Sequence, residues 1–211
     1  MDKKKISEKM EELLKKEKKK GKFKQSIEMI VNFKHGVDLE TKDKLNLIVQ
    51  LPKSRGKETE IGVFADGDLN LKAKKFSNYV FDRHEIEEYS RDKRKIRKIA
   101  SKCYWFLSQP ELLPVVGKFW GVVLGTRGKM PQPLPSNVDL EQIISKYKNS
   151  VRIKSKKGLA VHVPIGTEDM SADDLLENFN TVLIAIERQI PEDKISSIYI
   201  KRTMSEPVRV L

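Results

Sequence analysis

The chain has 211 residues, 38% of them hydrophobic and 34% charged, with 42 Lys and Arg against 30 Asp and Glu. That length suits one large domain or two small ones, and the net charge of +12 favours a polyanionic partner. No apolar run nears the roughly 18 residues needed to cross a bilayer, and the single Cys103 excludes an internal disulfide.

The start, Met1-Asp-Lys-Lys-Lys, lacks an apolar signal segment, so a cytoplasmic location without membrane association is expected. Residues 1–24 hold 11 Lys and 5 acids, and Arg91–Lys98 forms a second basic block. Met1 to Lys20 is predicted as a helix, with Ile6, Met10 and Leu13 on one face and Gly21 closing it. From Phe23 the period becomes two: Phe23, Gln25, Ile27, Met29, Val31 and Phe33 alternate with Lys24, Ser26, Glu28, Ile30, Asn32 and Lys34, as in a strand packed on one side. Leu45, Leu47, Val49 and Leu51 repeat that pattern until Pro52 stops it.

The middle has another texture. Ile61–Ala65, Tyr79–Phe81 and Cys103–Leu107 are short continuous apolar runs, the mark of strands covered on both faces. Helices are predicted between and after them: Leu69 to Phe76, His84 to Tyr89, the basic block, and Glu111 to Trp120. Alternating strand and helix is solved most simply by a parallel α/β domain. After Pro135 a helix over residues 139–148 precedes a Val151–Ile153 strand, and Leu159, Val161, Val163 and Ile165 alternate again. Ser171 with Asp174 has the form of a capping box. Leu175, Phe179, Val182, Leu183 and Ile186 give the following helix its buried stripe. Ser197–Ile200 and Pro207–Val210 end the chain as strands. The fold class is therefore α/β in two domains: a discontinuous α+β domain, 1–58 and 137–211, with a parallel α/β domain, 59–136, inserted into it.

Catalytic chemistry is poorly supplied. His35, His84 and His162 are isolated, and no Cys-x-x-Cys, His-Glu-x-x-His or calcium loop appears, so no metal, cofactor or catalytic residue is expected. Gly128-Lys129 is not a phosphate-binding P-loop, because Val123 stands where the first glycine belongs and Met130 where Ser or Thr must hold magnesium. Asp66-Gly-Asp68 is read as a turn and helix cap. Gly125, Arg127, Gly128 and Lys129, followed by Pro131, Pro133 and Pro135, present two cations on a glycine turn that is read as a docking surface.

Four separated segments carry a resemblance. Gly125-Thr-Arg-Gly-Lys-Met-Pro-Gln-Pro133, Lys22-Phe-Lys-Gln-Ser-Ile-Glu28, Leu51-Pro-Lys-Ser-Arg-Gly-Lys57 and Ser197-Ile-Tyr-Ile-Lys-Arg-Thr-Met204 resemble, in order and spacing, the "L one" family of large-subunit ribosomal proteins, archaeal branch. The resemblance implies an RNA-gripping discontinuous domain with a Rossmann-like insert, of three layers, and no enzymatic activity. It also implies a place on the mobile ribosomal stalk near the tRNA exit site. The expected partners are ribosomal RNA and the large subunit, with the chain's own mRNA, which it represses, and exit-site tRNA; the free protein is expected to be a monomer. An alternative of the same fold is a ribosome-biogenesis RNA-binding protein. A nucleotide-dependent enzyme using the insert is the rival from another class.

On that resemblance the RNA-binding residues are Lys22, Phe23, Ser26, Glu28, Ser197, Thr203 and Met204. Lys22 meets phosphate. Phe23 packs on ribose or a base edge, or else joins the core. Ser26 and Ser197 suit ribose 2′-hydroxyls. Glu28 accepts from a hydroxyl or amino group, or orients a neighbouring lysine. Thr203 bonds, and Met204 lies flat on sugar. Lys53, Arg55 and Lys57 in one connector, with Pro133 and Pro135 in the other, are expected to set the angle between domains. Two departures from the family pattern stand out: Ser205-Glu206 replaces Gly-Pro, which strains the turn if φ must be positive, and Thr126 replaces a proline, which should loosen its segment.

Overall fold

The computed structural model describes residues 3–15, 23–135, 139–155 and 158–211. It divides into two compact units, Met1–Lys57 with Asn149–Leu211 and Glu58–Lys148. The expected mixed α/β class holds.

In the first unit, β1 (Ser26–Phe33) is the centre of an antiparallel sheet. The unit also contains α1 (Lys3–Lys15) and β2 (Asn46–Gln50). In the second unit a parallel sheet is built from β3 (Glu60–Phe64), β4 (Tyr79–Phe81), β5 (Cys103–Ser108) and β6 (Gln132–Pro133). Its helices are α2 (Asp68–Ala73), α3 (Arg83–Ser90), α4 (Lys93–Lys102), α5 (Leu113–Thr126) and α6 (Leu140–Lys148). The chain then returns to the first unit with β7 (Ser150–Lys154), β8 (Ala160–Thr167), α7 (Ala172–Glu187), β9 (Ile195–Arg202) and β10 (Val208–Arg209).

The first unit's main sheet has the order β10-β9-β1-β8, and β2 pairs with β7 in a separate ribbon. Period two decides which side is buried. Ile27, Met29, Val31 and Phe33 of β1, Val161, Val163 and Ile165 of β8, and Ile198 and Ile200 of β9 form one core with Phe179, Val182 and Ile186 of α7 and Ile6, Met10 and Leu13 of α1. Burial of each such side chain contributes about 1.5–3 kcal/mol. The alternate residues of β1 (Ser26, Glu28, Ile30 and Asn32) are only half-buried, so that side of the sheet is open. This open side is where the candidate site lies.

The second unit's sheet has the order β4-β3-β5-β6, all parallel. Right-handed crossovers dictate where the helices go. The step from β3 to β4 runs one way along the sheet and puts α2 on one face. The steps from β4 to β5 and β5 to β6 run the other way and put α3, α4 and α5 on the opposite face. The cores agree: Phe64, Phe81, Phe106, Ile86, Ile96 and Trp120 cluster on one side, and Ile61, Val63, Trp105, Ala73 and Ile144 on the other.

Three expectations need correction here. Residues 139–148 were expected with the terminal segments, but Leu140, Ile143 and Ile144 of α6 share a core with Ile61 and Val63 of β3, so this unit continues to Lys148. Pro133 and Pro135 are therefore not in a connector: Pro133 is in β6, paired with Ser108, and the intervening Leu134 is buried and donates its N–H to Ser108 O at 2.8 Å. The glycine-rich segment is also different from the expected docking turn. Helix α5 continues through Gly125 and Thr126, and only Gly128 takes positive φ, at 67°. Thr126 belongs to this helix and its hydroxyl donates to the carbonyls of Val122 and Val123, both at 3.1 Å. Lys129 closes the C-terminal end of α4, where free carbonyls concentrate partial negative charge, and Arg127 bonds a carbonyl further back in the helix. Arg127 Nη1 donates to Arg97 O at 3.1 Å, and Lys129 Nζ to Ala100 O and Cys103 O, both at 2.7 Å.

Candidate nucleic-acid interface

Strand parity and register place the predicted residues. β1 and β9 pair so that Glu28 faces Lys201, Ile30 faces Tyr199 and Asn32 faces Ser197. Thr203 continues this row opposite Ser26: Thr203 N donates to Ser26 O at 3.1 Å, and Ser26 N to Thr203 Oγ1 at 3.3 Å. Ser26, Glu28, Ser197 and Thr203 thus share the open side of the sheet. Ser197 and Thr203 lie six residues apart on an extended strand, or about 20 Å. An extended ligand can touch both; a small one cannot.

Phe23 and Met204 frame the Thr203 end. Each is 53% exposed, which takes Phe23 out of the core. Large apolar side chains held at a polar surface supply flat faces for stacking on bases or sugars. Ser197 is buried, and its Oγ accepts from Asn32 Nδ2 at 3.0 Å, leaving its own hydroxyl proton to be directed elsewhere. Glu28 faces Lys201 directly across the strands, the arrangement expected if the carboxylate orients a lysine. Lys22 lies outside the described residues.

The turn carrying Thr203 and Met204 rests on polar groups that period-two reasoning assigns to the core side. Gln25 is 3% exposed, and its Oε1 accepts from Met204 N at 3.0 Å. Glu168 N donates to Gln25 O at 3.1 Å, and Gln25 N to Glu168 Oε1 at 3.4 Å. Beneath them Arg202 is 1% exposed, with Nη1 4.0 Å from Glu168 Oε2. These residues were missed. The one signal for them was a glutamine in the apolar register just before β1.

Ser205 does not strain this turn. Among the described residues every positive φ belongs to glycine. Ser205 Oγ accepts from Arg202 N at 3.0 Å and donates to Glu206 O at 3.1 Å, so the side chain closes the turn itself. Glu206 is exposed.

The first connector is anchored to its own unit. Asn178 of α7, fully buried, accepts from Lys53 N at 3.1 Å and donates to Ile165 O at 2.8 Å and Ser54 O at 3.4 Å. The Lys53 ammonium sits 3.3 Å from Asp174 and 3.7 Å from Glu177. Hydrogen bonding to Asp174 and the charge of Glu177 raise the lysine's pKa, while hydrogen bonds from Ser171 and Lys53 lower that of Asp174. Ser171 caps α7 by accepting from Asp174 N at 3.1 Å; its hydroxyl donates to the Asp174 carboxylate rather than completing a reciprocal box. Arg55 is half-buried and Lys57 exposed.

In the parallel sheet, ligands of open α/β folds enter where strand order reverses, outside the carboxyl ends of β3 and β5. At those strand ends the chain's own groups bond one another. Gln109 Oε1 accepts from Asp66 N at 2.7 Å, and Asp66 Oδ1 accepts from Arg83 N at 2.9 Å. Asp66-Gly-Asp68 is thus a turn, with Gly67 at φ 58° preceding α2.

A basic chain with an open, partly apolar sheet face has the makeup of a nucleic-acid-binding protein. The family model described as "Ribosomal protein L1p/L10e family" matches residues 13–206. The chain is similar to "Large ribosomal subunit protein uL1" of Archaeoglobus fulgidus, 36% identical over 214 residues and covering 100% of this chain and 99% of that protein. It is 39% identical to the protein of that name from Thermofilum pendens (97% and 92% covered) and 38% identical to that of Methanosarcina mazei (91% and 92%). The chain belongs to the L1p/L10e family of ribosomal proteins, which are structural and not enzymes.

Proposed function

We propose that this chain is a cytoplasmic constituent of the large ribosomal subunit that binds ribosomal RNA through the open side of the β9-β1-β8 sheet. The observation that carries this reading is Ser26, Glu28 and Thr203 on one accessible face, framed at the Thr203 end by exposed Phe23 and Met204, with Ser197 buried at the far end of the same row. Such a row offers hydroxyls and one carboxylate to 2′-hydroxyls and base edges, with two apolar side chains for sugar or base faces, and so recognises shape more than charge. Lys22 supplies a phosphate contact in this reading. The RNA is the stalk region near the tRNA exit site, where exit-site tRNA is a further contact. A similar structure in the chain's own mRNA is also bound, which represses its translation. The free protein is a monomer. Lys53, Arg55 and Lys57 set how the two units move during binding.

The test is a titration against the ribosomal stalk hairpin beside an unrelated hairpin of equal length. Thr203→Ala and Met204→Ala should weaken binding to the first with little change in salt slope, while Lys22→Ala should reduce that slope by about one unit. If all three behave alike, the assignment of roles is wrong. Co-sedimentation with mature large subunits in high salt separates this reading from a biogenesis factor, which should leave before maturation.

A further inference from the structure

Helix α4 carries a concentration of positive charge that the fold explains only in part, through Lys95 over the Tyr89 ring and Lys102 over the Tyr79 ring. Its buried positions are Ile96 and Ala100, with Ile99 half-buried, and its remaining faces present exposed Lys93, Arg94, Lys95, Arg97, Lys98 and Lys102. Asp92, the carboxylate at its start, is engaged as the helix cap, accepting from Arg94 N at 2.9 Å. Among the described residues none of the six cations has an ion-pair partner. In α1, by contrast, Lys9 pairs with Glu12 and Lys15 with Glu11.

This arrangement works against the helix. Lys93, Arg94 and Lys95 occupy the first turn, where the helix dipole disfavours cations. Lys93 and Arg97, Arg94 and Lys98, and Lys98 and Lys102 are like-charge pairs four residues apart, each unfavourable. The glycine-rich segment adds another cation: Arg127 Nη1 donates to Ser101 Oγ at 2.6 Å and to Arg97 O, bringing its guanidinium to the same surface. Charge gathered at a cost to local stability is explained when a polyanion neutralises it.

We infer that the solvent face of α4, centred on Arg94, Arg97 and Lys98 with Arg127 beside them, is a second RNA-binding surface that grips phosphates without reading sequence. The inference takes RNA as the partner from the function proposed above. Arginine forks suit phosphate oxygens. A membrane surface fits less well, because an interfacial helix must insert an apolar face, and the apolar face of α4 is already spent on the core with Phe106 and Trp120.

The experiment uses the full chain carrying R94Q, R97Q and K98Q together, with the stalk hairpin, an unrelated RNA duplex of about 20 base pairs, and phosphatidylserine vesicles as probes. The slope of log K against log salt should fall by about two units for both RNAs, with their affinity ratio unchanged. The charge-retaining variant R94K, R97K and K98R should keep the parent slope. Because repulsion is relieved, the glutamine variant should melt at or above the parent temperature. An unchanged slope for both RNAs would overturn the proposal, and so would loss of vesicle binding with RNA binding intact. The Thr203→Ala and Met204→Ala variants run in parallel distinguish the two readings: they change the affinity ratio and leave the slope alone. If that arm fails while the α4 arm succeeds, the sheet-face reading falls by itself.

Discussion

Replacing Gln25 with leucine tests whether the turn's position, and not merely its residues, is what RNA recognises. Leucine keeps most of the buried volume and removes the Oε1 acceptor that holds Met204 N at 3.0 Å. That N–H must then stay unsatisfied, at about 1–3 kcal/mol, or move to find water. The turn is at the surface, with Met204 53% exposed, so it can move. The expected stability loss is therefore at the low end, about 1 kcal/mol by urea unfolding. Binding loses more, because Thr203 and Met204 shift together. One misaligned hydrogen bond and one lost apolar contact amount to about 2 kcal/mol, or roughly thirtyfold in Kd for the stalk hairpin by fluorescence anisotropy. The salt slope should not change, since no cation is altered. A Kd within about twofold of the parent, in a protein whose urea midpoint has fallen, would refute the reasoning.

Three other substitutions probe the frame. Gly56 has φ 75°, and a Cβ there would lie 2.2 Å from Thr167 Oγ1; Gly56→Ala should cost about 3 kcal/mol, and a melting temperature within about 2 °C of the parent would contradict the geometry. Asn178→Leu strips three hydrogen bonds from buried or half-buried partners and should cost about 3 kcal/mol, with faster hydrogen exchange at the Lys53 amide as its local signature. Burial pushes the Cys103 thiol from 9.0 to about 12. Between those values the folded thiol keeps a proton that the unfolded one releases, so this group's contribution falls as pH rises through that window. Cys103→Ala should flatten the decline of the urea midpoint from about pH 9 to 11; identical slopes in both proteins would exclude the thiol as its source.

What the sequence revealed depended on whether the cause was local. β3, β4 and β5 were legible because a strand covered on both faces must be apolar throughout, and the open side of β1 was legible because its parity is fixed every second residue. Helix α6 was assigned to the wrong unit: its apolar stripe shows that one face is covered, and says nothing about which sheet covers it. The length of α5 was hidden by Gly121 and Gly125, each costing about 1 kcal/mol of helix propensity, which packing of Trp120 and Leu124 overrides. The backbone bonds of Arg127 and Lys129 were hidden because the carbonyls they reach belong to residues 26 to 30 positions earlier. The cluster of Gln25, Glu168 and Arg202 combines the residue before β1, the residue after β8 and the last residue of β9, and no sequence spacing announces it.

The two proposed surfaces are complementary in the physical quantities they control. Apart from Lys22, the sheet face is nearly neutral, with Glu28 opposite Lys201 and Lys24 neutralised by Asp169 at 2.9 Å. Contacts from such a face change little with ionic strength, so they distinguish one RNA shape from another without greatly raising affinity for RNA in general. The exposed cations of α4 have the opposite property, because each phosphate they neutralise releases counterions whatever the sequence. A protein needing both a specific site and a useful affinity in cellular salt gains by separating these tasks, since added cations on the sheet face would raise affinity for every RNA and erode the discrimination. The prediction is a dissociation of effects: variants of the β1–β9 row alter which RNA is bound, and variants of α4 alter how salt governs binding to all of them. A substitution at Thr203 that changed the slope by as much as the α4 variant would show that one surface performs both tasks.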